Sequence, residues 1–172
     1  LKGVDSSYNW SFLQSNLIKG EVPLLSNSII SNKILISEDL STSLKLNIGD
    51  DLVVYFIQEP ARVRKFNIIG IYNTLLTDFD KLFAFIDIRH IRSLNNWKRE
   101  QVGGVEVFIE DFDDIDEITE KIYNQLDYDL DAKNIKDKYS QIFDWLDLQD
   151  INVRVILILM LIVGGVNITT AL

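Results

Sequence analysis

The residue of this chain best suited to acid–base chemistry at neutral pH is its single histidine, His90. It lies between Arg89 and Arg92, in a segment with a helical pattern. A general base must reach the proton that it removes and must have a pKa matched to that task. A lone histidine beside two arginines is more often a surface or partly buried helix residue. We therefore predict no catalytic role for His90. Because the chain has no cysteine and no second histidine, we also predict no transition-metal site.

A run of acids is the other candidate for chemistry. Between Asp111 and Glu117 only Phe112 and Ile115 are not acidic. The run superficially resembles a calcium loop, but it lacks the glycine of the sharp turn and the closing bidentate glutamate. Acids in the first turn of a helix are well explained by capping and by the helix dipole. We therefore interpret the run as a helix start.

Sequence motifs for phosphate binding and for nucleophilic catalysis are missing. The chain contains neither G-x-x-x-x-G-K nor G-x-G-x-x-G, and it contains no G-x-S-x-G elbow. Its formal net charge is −9, without a basic stripe that could neutralise nucleic-acid phosphates. The sequence predicts a non-enzymatic domain with no catalytic residue, no cofactor and no nucleic-acid partner.

The first half of the chain has a mixed helix and strand pattern. Ser37 and Asp87 precede apolar periodic segments and are expected to cap helices, and Gly49 suits a turn that needs positive φ. In chain order we predict a strand end at 1–5, a helix at 8–18 closed by Gly20, short strands at 29–30 and 34–36, a helix at 37–46, an antiparallel pair of 51–57 with 66–72, a strand at 82–86 and a helix at 88–95.

The second half predicts a strand–helix–strand unit and then a long helix. Residues 105–109 and 129–132 are expected to be extended, on either side of a helix at 112–126 that Asp111 caps. From Lys136 no Pro or Gly intervenes before Gly164, which favours one continuous helix. A joint near residues 150–152 is the alternative.

The last stretch of the chain has the composition of a membrane helix. No charged residue occurs from Val155 to Leu172, which approaches the length of a membrane span. Gly164, Gly165 and Asn167 would form a face packed against other helices. In the turns before this stretch Asp144, Asp147 and Asp150 accompany Arg154 alone. Cytoplasmic flanks normally carry an excess of Lys and Arg, which this flank lacks, so we expect the domain to be extracytoplasmic. The alternative is a buried core helix of a soluble protein.

The order of these motifs resembles the periplasmic loop and second transmembrane segment of lipoprotein-releasing ABC permeases, the LolC/LolE group of the MacB/FtsX-like superfamily. The resemblance covers nearly the whole chain. It is carried by LSTSLKLNIGD at 40–50, FNIIGIY at 66–72, FID at 85–87, VEVFI at 105–109, IFDWL at 142–146 and NITTAL at 167–172.

The resemblance implies an α+β fold with three parts. Residues 1–98 would form a mostly β extracytoplasmic subdomain with short helices, and residues 99–135 would form half of a β-α-β subdomain whose other half lies upstream of Leu1. Residues 136–172 would form a long helix that enters the membrane, with a truncated span at about 153–172. It also implies location in the bacterial inner membrane, with the soluble part on the periplasmic side.

The function that the resemblance implies is mechanical. Such a domain transmits ATP-driven motion to the periplasmic side for lipoprotein release or for export of an amphiphilic substrate. Its partners would be a separate cytoplasmic ATPase subunit, a second permease subunit in a homodimer or heterodimer, the membrane, and a lipoprotein or its periplasmic carrier.

One departure from the family concerns the hairpin that carries a long carrier-capturing hook in the LolC type. Here the connection is only residues 58–65. Pro60 would lie at the position of the tip, and Arg62, Arg64 and Lys65 could meet an acidic partner. Solvated charges at a hairpin end are the alternative.

Two other functional classes stay open at this stage. The ectodomain of a membrane sensor receptor predicts the same acidic domain followed by a helix. A soluble enzyme with an apolar C-terminal helix would need a concave site, which the residues do not indicate.

Overall fold

The computed structural model describes residues 1–26 and 28–171, and it describes side chains only as far as Val166. The fold is α+β, as predicted, with a mixed sheet and a long C-terminal helix. The chain divides into two compact units, Leu1–Val105 and Glu106–Leu172. In order, the elements are β1 (Lys2–Val4), α1 (Ser11–Ser15), β2 (Leu17–Gly20), β3 (Lys33–Ser37), α2 (Glu38–Leu44), β4 (Asp51–Phe56), β5 (Arg62–Tyr72), α3 (Thr77–Leu82), β6 (Phe85–Asp87), α4 (Ile88–Asn95), α5 (Ile115–Tyr123), α6 (Ile135–Lys138) and α7 (Ser140–Ala171).

The first unit is built on a six-stranded sheet of order β1-β6-β3-β5-β2, with β4 also paired to β5. Two pairs are parallel, β1 with β6 and β3 with β5, and the other pairs are antiparallel. β5 is the longest strand, with 11 residues. It pairs with β4 along its first half and with β2 and β3 along its second half.

Apolar cores lie on both faces of this sheet. Ile34 and Ile36 of β3 belong to one buried cluster, and Leu35 belongs to the other, because successive side chains of a strand point to opposite faces. Half-buried Leu40 and Ile91 pack against the first cluster. The second cluster includes Leu13 of α1 and is surrounded by aromatic rings, among them Tyr8, Trp10 and Phe79. This double coverage explains why β3 is a continuous apolar run.

Several predictions in the first unit are confirmed. Ser37 caps α2, with Oγ accepting from the Leu40 amide at 3.3 Å, and Asp87 caps α4, with Oδ1 accepting from the Arg89 amide at 3.0 Å. β4 and β5 pair antiparallel as expected, and Gly49 lies in a turn at φ 90°.

Other predictions in the first unit are wrong. The helix expected at 8–18 is reduced to α1, because Leu17–Gly20 pairs with the end of β5 as β2. Residues 29–30 form no strand. The strand expected at 82–86 begins only at Phe85, because Thr77–Leu82 is helical.

The second unit departs further from expectation. Residues 105–109 and 129–132 are not strands, since no segment in the described part of the chain pairs with them. The helix expected at 112–126 is α5, and Asp111 does not cap it, because its Oδ1 accepts from the Asp113 amide at 2.9 Å. The helix expected from Lys136 is broken at Tyr139, where φ is −125°. From Ser140 it is continuous and has no joint at 150–152.

Candidate functional site

The four residues predicted to bind a partner lie around the β4–β5 hairpin, and two of them, Arg62 and Lys65, contact other elements of the first unit. The Arg62 guanidinium donates to the carbonyl oxygens of Ser93 at 2.6 Å and Leu94 at 3.2 Å, and to Oδ1 of Asn96 at 3.3 Å. These groups form the carboxyl end of α4, where Asn96 takes a left-handed conformation. A cation there satisfies terminal carbonyls and complements the helix dipole.

Lys65 also has a partner within the first unit. Its Nζ lies 2.8 Å from Oδ2 of Asp51 on the neighbouring strand, and this hydrogen bond lowers the pKa of Asp51. Arg64 donates to the carbonyl oxygen of its neighbour Val63 at 3.1 Å, and Pro60 is exposed in the connection between the strands. Arg62 and Arg64 share one face of β5 and Lys65 points to the other. The three cations therefore do not form one basic patch, and partner binding there stays a prediction.

The hairpin face that carries Lys65 is apolar and exposed. Tyr55 pairs with Val63, and Val53 pairs with Lys65. Tyr55 is 73% exposed, and Val53 and Val63 are each nearly half exposed.

The residues predicted to pack in a membrane belong to α7. A Cβ added at Gly164 or Gly165 would meet nothing within 4 Å, so both positions are open to an approaching helix. The side chain of Asn167 lies outside the described residues. The three acids Asp144, Asp147 and Asp150 belong to the first half of α7, whereas from Val155 to Val166 the helix carries only apolar side chains and glycine. In the part of the chain that the structure describes, no helix has the length and apolar character that a membrane crossing requires.

The first unit also contains a cleft that the sequence reasoning missed. It has a volume of about 490 Å³ and lies where the parallel strands β1 and β6 end. Asp5 follows β1 and Asp87 ends β6, so the pairing brings two carboxylates to one edge of the sheet. Arg89, Arg92 and Arg99 also line it. We call this space the arginine cleft.

One wall of the arginine cleft is fixed by Asp87 and Arg89. Asp87 is 2% exposed, and its Oδ1 accepts from Nε of Arg89 at 2.9 Å. Burial alone would raise the pKa of Asp87, but the hydrogen bonds from Arg89 and from the Ser31 amide outweigh it and lower the pKa. Nη2 of Arg89 reaches the carbonyl oxygens of Ser26 at 2.7 Å and Ile29 at 2.6 Å. Asp87 and Arg89 together therefore hold the loop between β2 and β3 in position through hydrogen bonds to its backbone.

His90 also binds the loop between β2 and β3. It is 8% exposed, and its Nε2 lies 2.9 Å from the carbonyl oxygen of Ser31, which requires the Nε2–H form of the ring. Its imidazole meets the Phe66 ring edge to face at 5.0 Å. His90 therefore helps to hold the loop between β2 and β3 against α4.

The other wall holds the remaining charges. Asp5 accepts from the Ser7 hydroxyl at 2.7 Å and the Ser7 amide at 2.9 Å. These bonds lower the pKa of Asp5, with a smaller contribution from Arg92. Nε of Arg92 donates to the Gln101 carbonyl oxygen at 2.9 Å. The cleft therefore combines two charged carboxylates with three guanidinium groups.

A sequence signal for the cleft existed but was incomplete. Arg89 and Arg92 are three positions apart, which puts them on one side of a helix, and Asp87 marks the start of that helix. The contribution of Asp5 depends on the pairing of β1 with a strand more than 80 residues later, which local patterns do not reveal. Within the described ranges, no group of three or more acidic or histidine side chains is arranged to hold a metal ion.

No protein-family model matches the chain, and no curated protein matches it in sequence.

Proposed function

We propose that this chain is the extracytoplasmic domain of an ABC-transporter permease of the lipoprotein-releasing type, followed by the start of a transmembrane helix. The observation that carries the proposal is α7. It changes from an acidic to an entirely apolar helix without a break. From Val155 to Val163 every side chain is about half exposed or more. A helix that is apolar all round is typical of a membrane or of the interior of a large protein.

The dimensions of α7 suit a mechanical link. Its 32 residues give a length of about 48 Å. The apolar side chains described, from Val155 to Val166, are fewer than the roughly 20 that a crossing needs. In this proposal the crossing is completed by residues after Val166.

The second unit supports a mechanical role through contacts at the start of α7. The rings of Phe112 and Phe143 stack with centroids 5.8 Å apart. Lys136, on α6, pairs with Asp116 of α5 at 2.8 Å and covers the Phe112 ring at 5.2 Å. Displacement of α7 along its axis would therefore act on α6 and on the segment that leads into α5.

In the proposed assembly, a cytoplasmic ATPase subunit drives the motion and a second permease subunit, identical or related, completes the transporter. The cargo is a lipoprotein or another amphiphile on the periplasmic side of the bacterial inner membrane. Arg154 is the only basic residue between positions 140 and 154, and cytoplasmic flanks normally carry an excess of Lys and Arg, which supports this orientation. The chemistry of ATP hydrolysis belongs to the partner subunit.

The orientation can be tested because the chain has no cysteine. Single cysteines would be introduced as Tyr128→Cys, at a fully exposed side chain, and Leu161→Cys, at an apolar position of α7. With a membrane-impermeant maleimide, spheroplasts should label the first variant and leave the second unlabelled until detergent is added. Labelling of Tyr128→Cys only after lysis, or recovery of both variants in the soluble fraction, would overturn the proposal.

The function is tested by isolating the full-length protein in mild detergent and identifying what accompanies it. An ATPase subunit in stoichiometric amount is expected.

The arginine cleft favours the second candidate, the ectodomain of a membrane sensor, because such a domain needs a ligand site. Consistent absence of an ATPase, with a signalling kinase recovered in its place, would favour the sensor and reject the permease.

A further inference from the structure

We propose that the arginine cleft binds a small soluble anion with an apolar body, whose carboxylate or phosphate is held by Arg92 and Arg99. The cleft lies within residues of the first unit alone. Binding would therefore be measurable whether or not α7 enters a membrane, and its failure would leave the permease proposal unaffected.

The position of the cleft is favourable for a ligand. In open sheets with parallel strands, ligands bind in the crevice outside the carboxyl ends of the strands. β1 and β6 are parallel, and both end at the cleft. A volume of about 490 Å³ is in the range of small-molecule sites.

The guanidinium groups of the cleft are not equally available. Arg89 is committed to Asp87 and to the loop carbonyls, so it forms part of the wall. Arg92 uses Nε for Gln101, and its two terminal nitrogens make no hydrogen bond to any described residue. Arg99 has no hydrogen bond or ion pair to any described residue. Two arginines of the rim can therefore offer donors in the planar geometry that matches a carboxylate or a phosphate.

The charges in the cleft favour an anion over a cation. Asp87 is neutralised by Arg89, and Asp5 accepts two hydrogen bonds from Ser7. Asp5 offsets part of the charge of Arg92, which leaves Arg99 as the cation with no carboxylate partner among the described residues. In a chain of net charge −9, such a local excess of positive charge focuses anions at one place.

The apolar part of the lining argues for a ligand with an apolar body. Leu25, Ile30, Ile88 and Trp97 contribute to the same cleft, and Ile30 is 53% exposed. An inorganic anion would leave this surface in contact with water, whereas an apolar group attached to the anion would cover it. Trp97 also offers a ring face and an indole N–H.

The test uses the full chain in a mild non-ionic detergent, with phenyl phosphate as the probe. Binding is followed by the indole N–H resonance of Trp97, assigned with Trp97→Phe, and by titration calorimetry. Inorganic phosphate tests the head group alone and benzyl alcohol tests the apolar body alone. Phenyl phosphate should give a saturable shift of the Trp97 resonance, with affinity at least about tenfold above that of either fragment.

Matched variants separate a built site from general electrostatic attraction. Arg99→Gln should weaken phenyl phosphate binding by about tenfold or more, because it removes charge-assisted hydrogen bonds. Lys98→Gln removes the same charge one residue away, from a side chain that does not line the cleft, and should change the affinity less than about twofold. Equal weakening by the two variants, no saturable shift with phenyl phosphate, or equal affinity for inorganic phosphate would overturn the proposal.

Discussion

Nη1 of Arg62 lies 2.6 Å from the carbonyl oxygen of Ser93, and this bond ties β5 to the carboxyl end of α4. The two residues are 31 positions apart in the chain. The contact uses a residue that the sequence marked as a candidate for partner binding. The Arg62 side chain thus contributes to the packing of the first unit. Its replacement should lower the free energy of unfolding.

Replacement of Arg62 by Gln should destabilise the first unit by about 1–2 kcal/mol, because the last carbonyls of α4 lose a charge-assisted donor. Urea unfolding of the full chain in mild detergent, followed by near-ultraviolet circular dichroism, measures the change. Arg64→Gln is the matched control on the same face of β5 and should change the free energy of unfolding by less than about 0.5 kcal/mol. Equal effects of the two variants would contradict the structural role of Arg62.

Asp87→Asn should cost about 2–3 kcal/mol at neutral pH, because it leaves Arg89 without its buried carboxylate. The folded state lowers the pKa of Asp87 below its ordinary value of 3.8. The stability from the ionised form is therefore present above about pH 4 and is lost as the pH falls through the lowered value. The difference in the free energy of unfolding between wild type and variant should therefore shrink as the pH falls below 3.8 and through the lowered pKa of Asp87.

The control for this pH dependence is Glu100→Gln, which removes an exposed carboxylate from the same unit. Its free energy of unfolding should follow that of the wild type within about 0.5 kcal/mol across the whole pH range. A difference between wild type and Asp87→Asn that stays constant down to pH 2 would show that the carboxylate charge does not contribute.

Gly20→Ala should destabilise the first unit more than Gly49→Ala does. Both glycines have positive φ, 80° and 90°, so each substitution carries a backbone cost of about 1 kcal/mol. A Cβ at Gly49 meets nothing within 4 Å, whereas at Gly20 it would overlap the Ile69 carbonyl oxygen and lie 2.8 Å from Cδ1 of Ile48. Urea unfolding should therefore show an extra loss of at least about 1 kcal/mol for Gly20→Ala.

The parts of the fold that were predicted correctly depend on local chemistry. Ser37 and Asp87 precede their helices directly and cap them within two or three residues. The β4–β5 pair joins neighbouring segments, so its register follows from a short connection. Gly20 shows the limit of this reasoning. It was expected to end a helix, but its positive φ serves the close approach of β2 to Gly70 in β5.

The arginine cleft could not be predicted in the same way. Asp5 reaches it because β1 pairs with β6, and the loop between β2 and β3 reaches it because Arg89 binds two of its carbonyls. Both contacts join segments about 60 or more residues apart. The local sequence pattern of either segment therefore does not predict them. In the second unit the same limit produced a false expectation. Residues 105–109 have strand composition, but a strand also needs a neighbour with which to exchange hydrogen bonds.

Phe143→Ala should loosen the start of α7 while leaving the first unit unchanged. Its ring stacks on Phe112 at 5.8 Å, and loss of an aromatic pair costs about 1 kcal/mol beyond the buried area. Hydrogen exchange of the amides near residue 143 should become at least about fivefold faster, since it follows the free energy of local opening. Trp145→Ala is the control, because this ring is 57% exposed on the same helix. In the proposed transporter, the Phe143 variant should also lower cargo release more than ATP hydrolysis, because the stack couples α7 to the segment that leads into α5. Equal losses of release in the two variants would show that Phe112 and Phe143 do not transmit the motion.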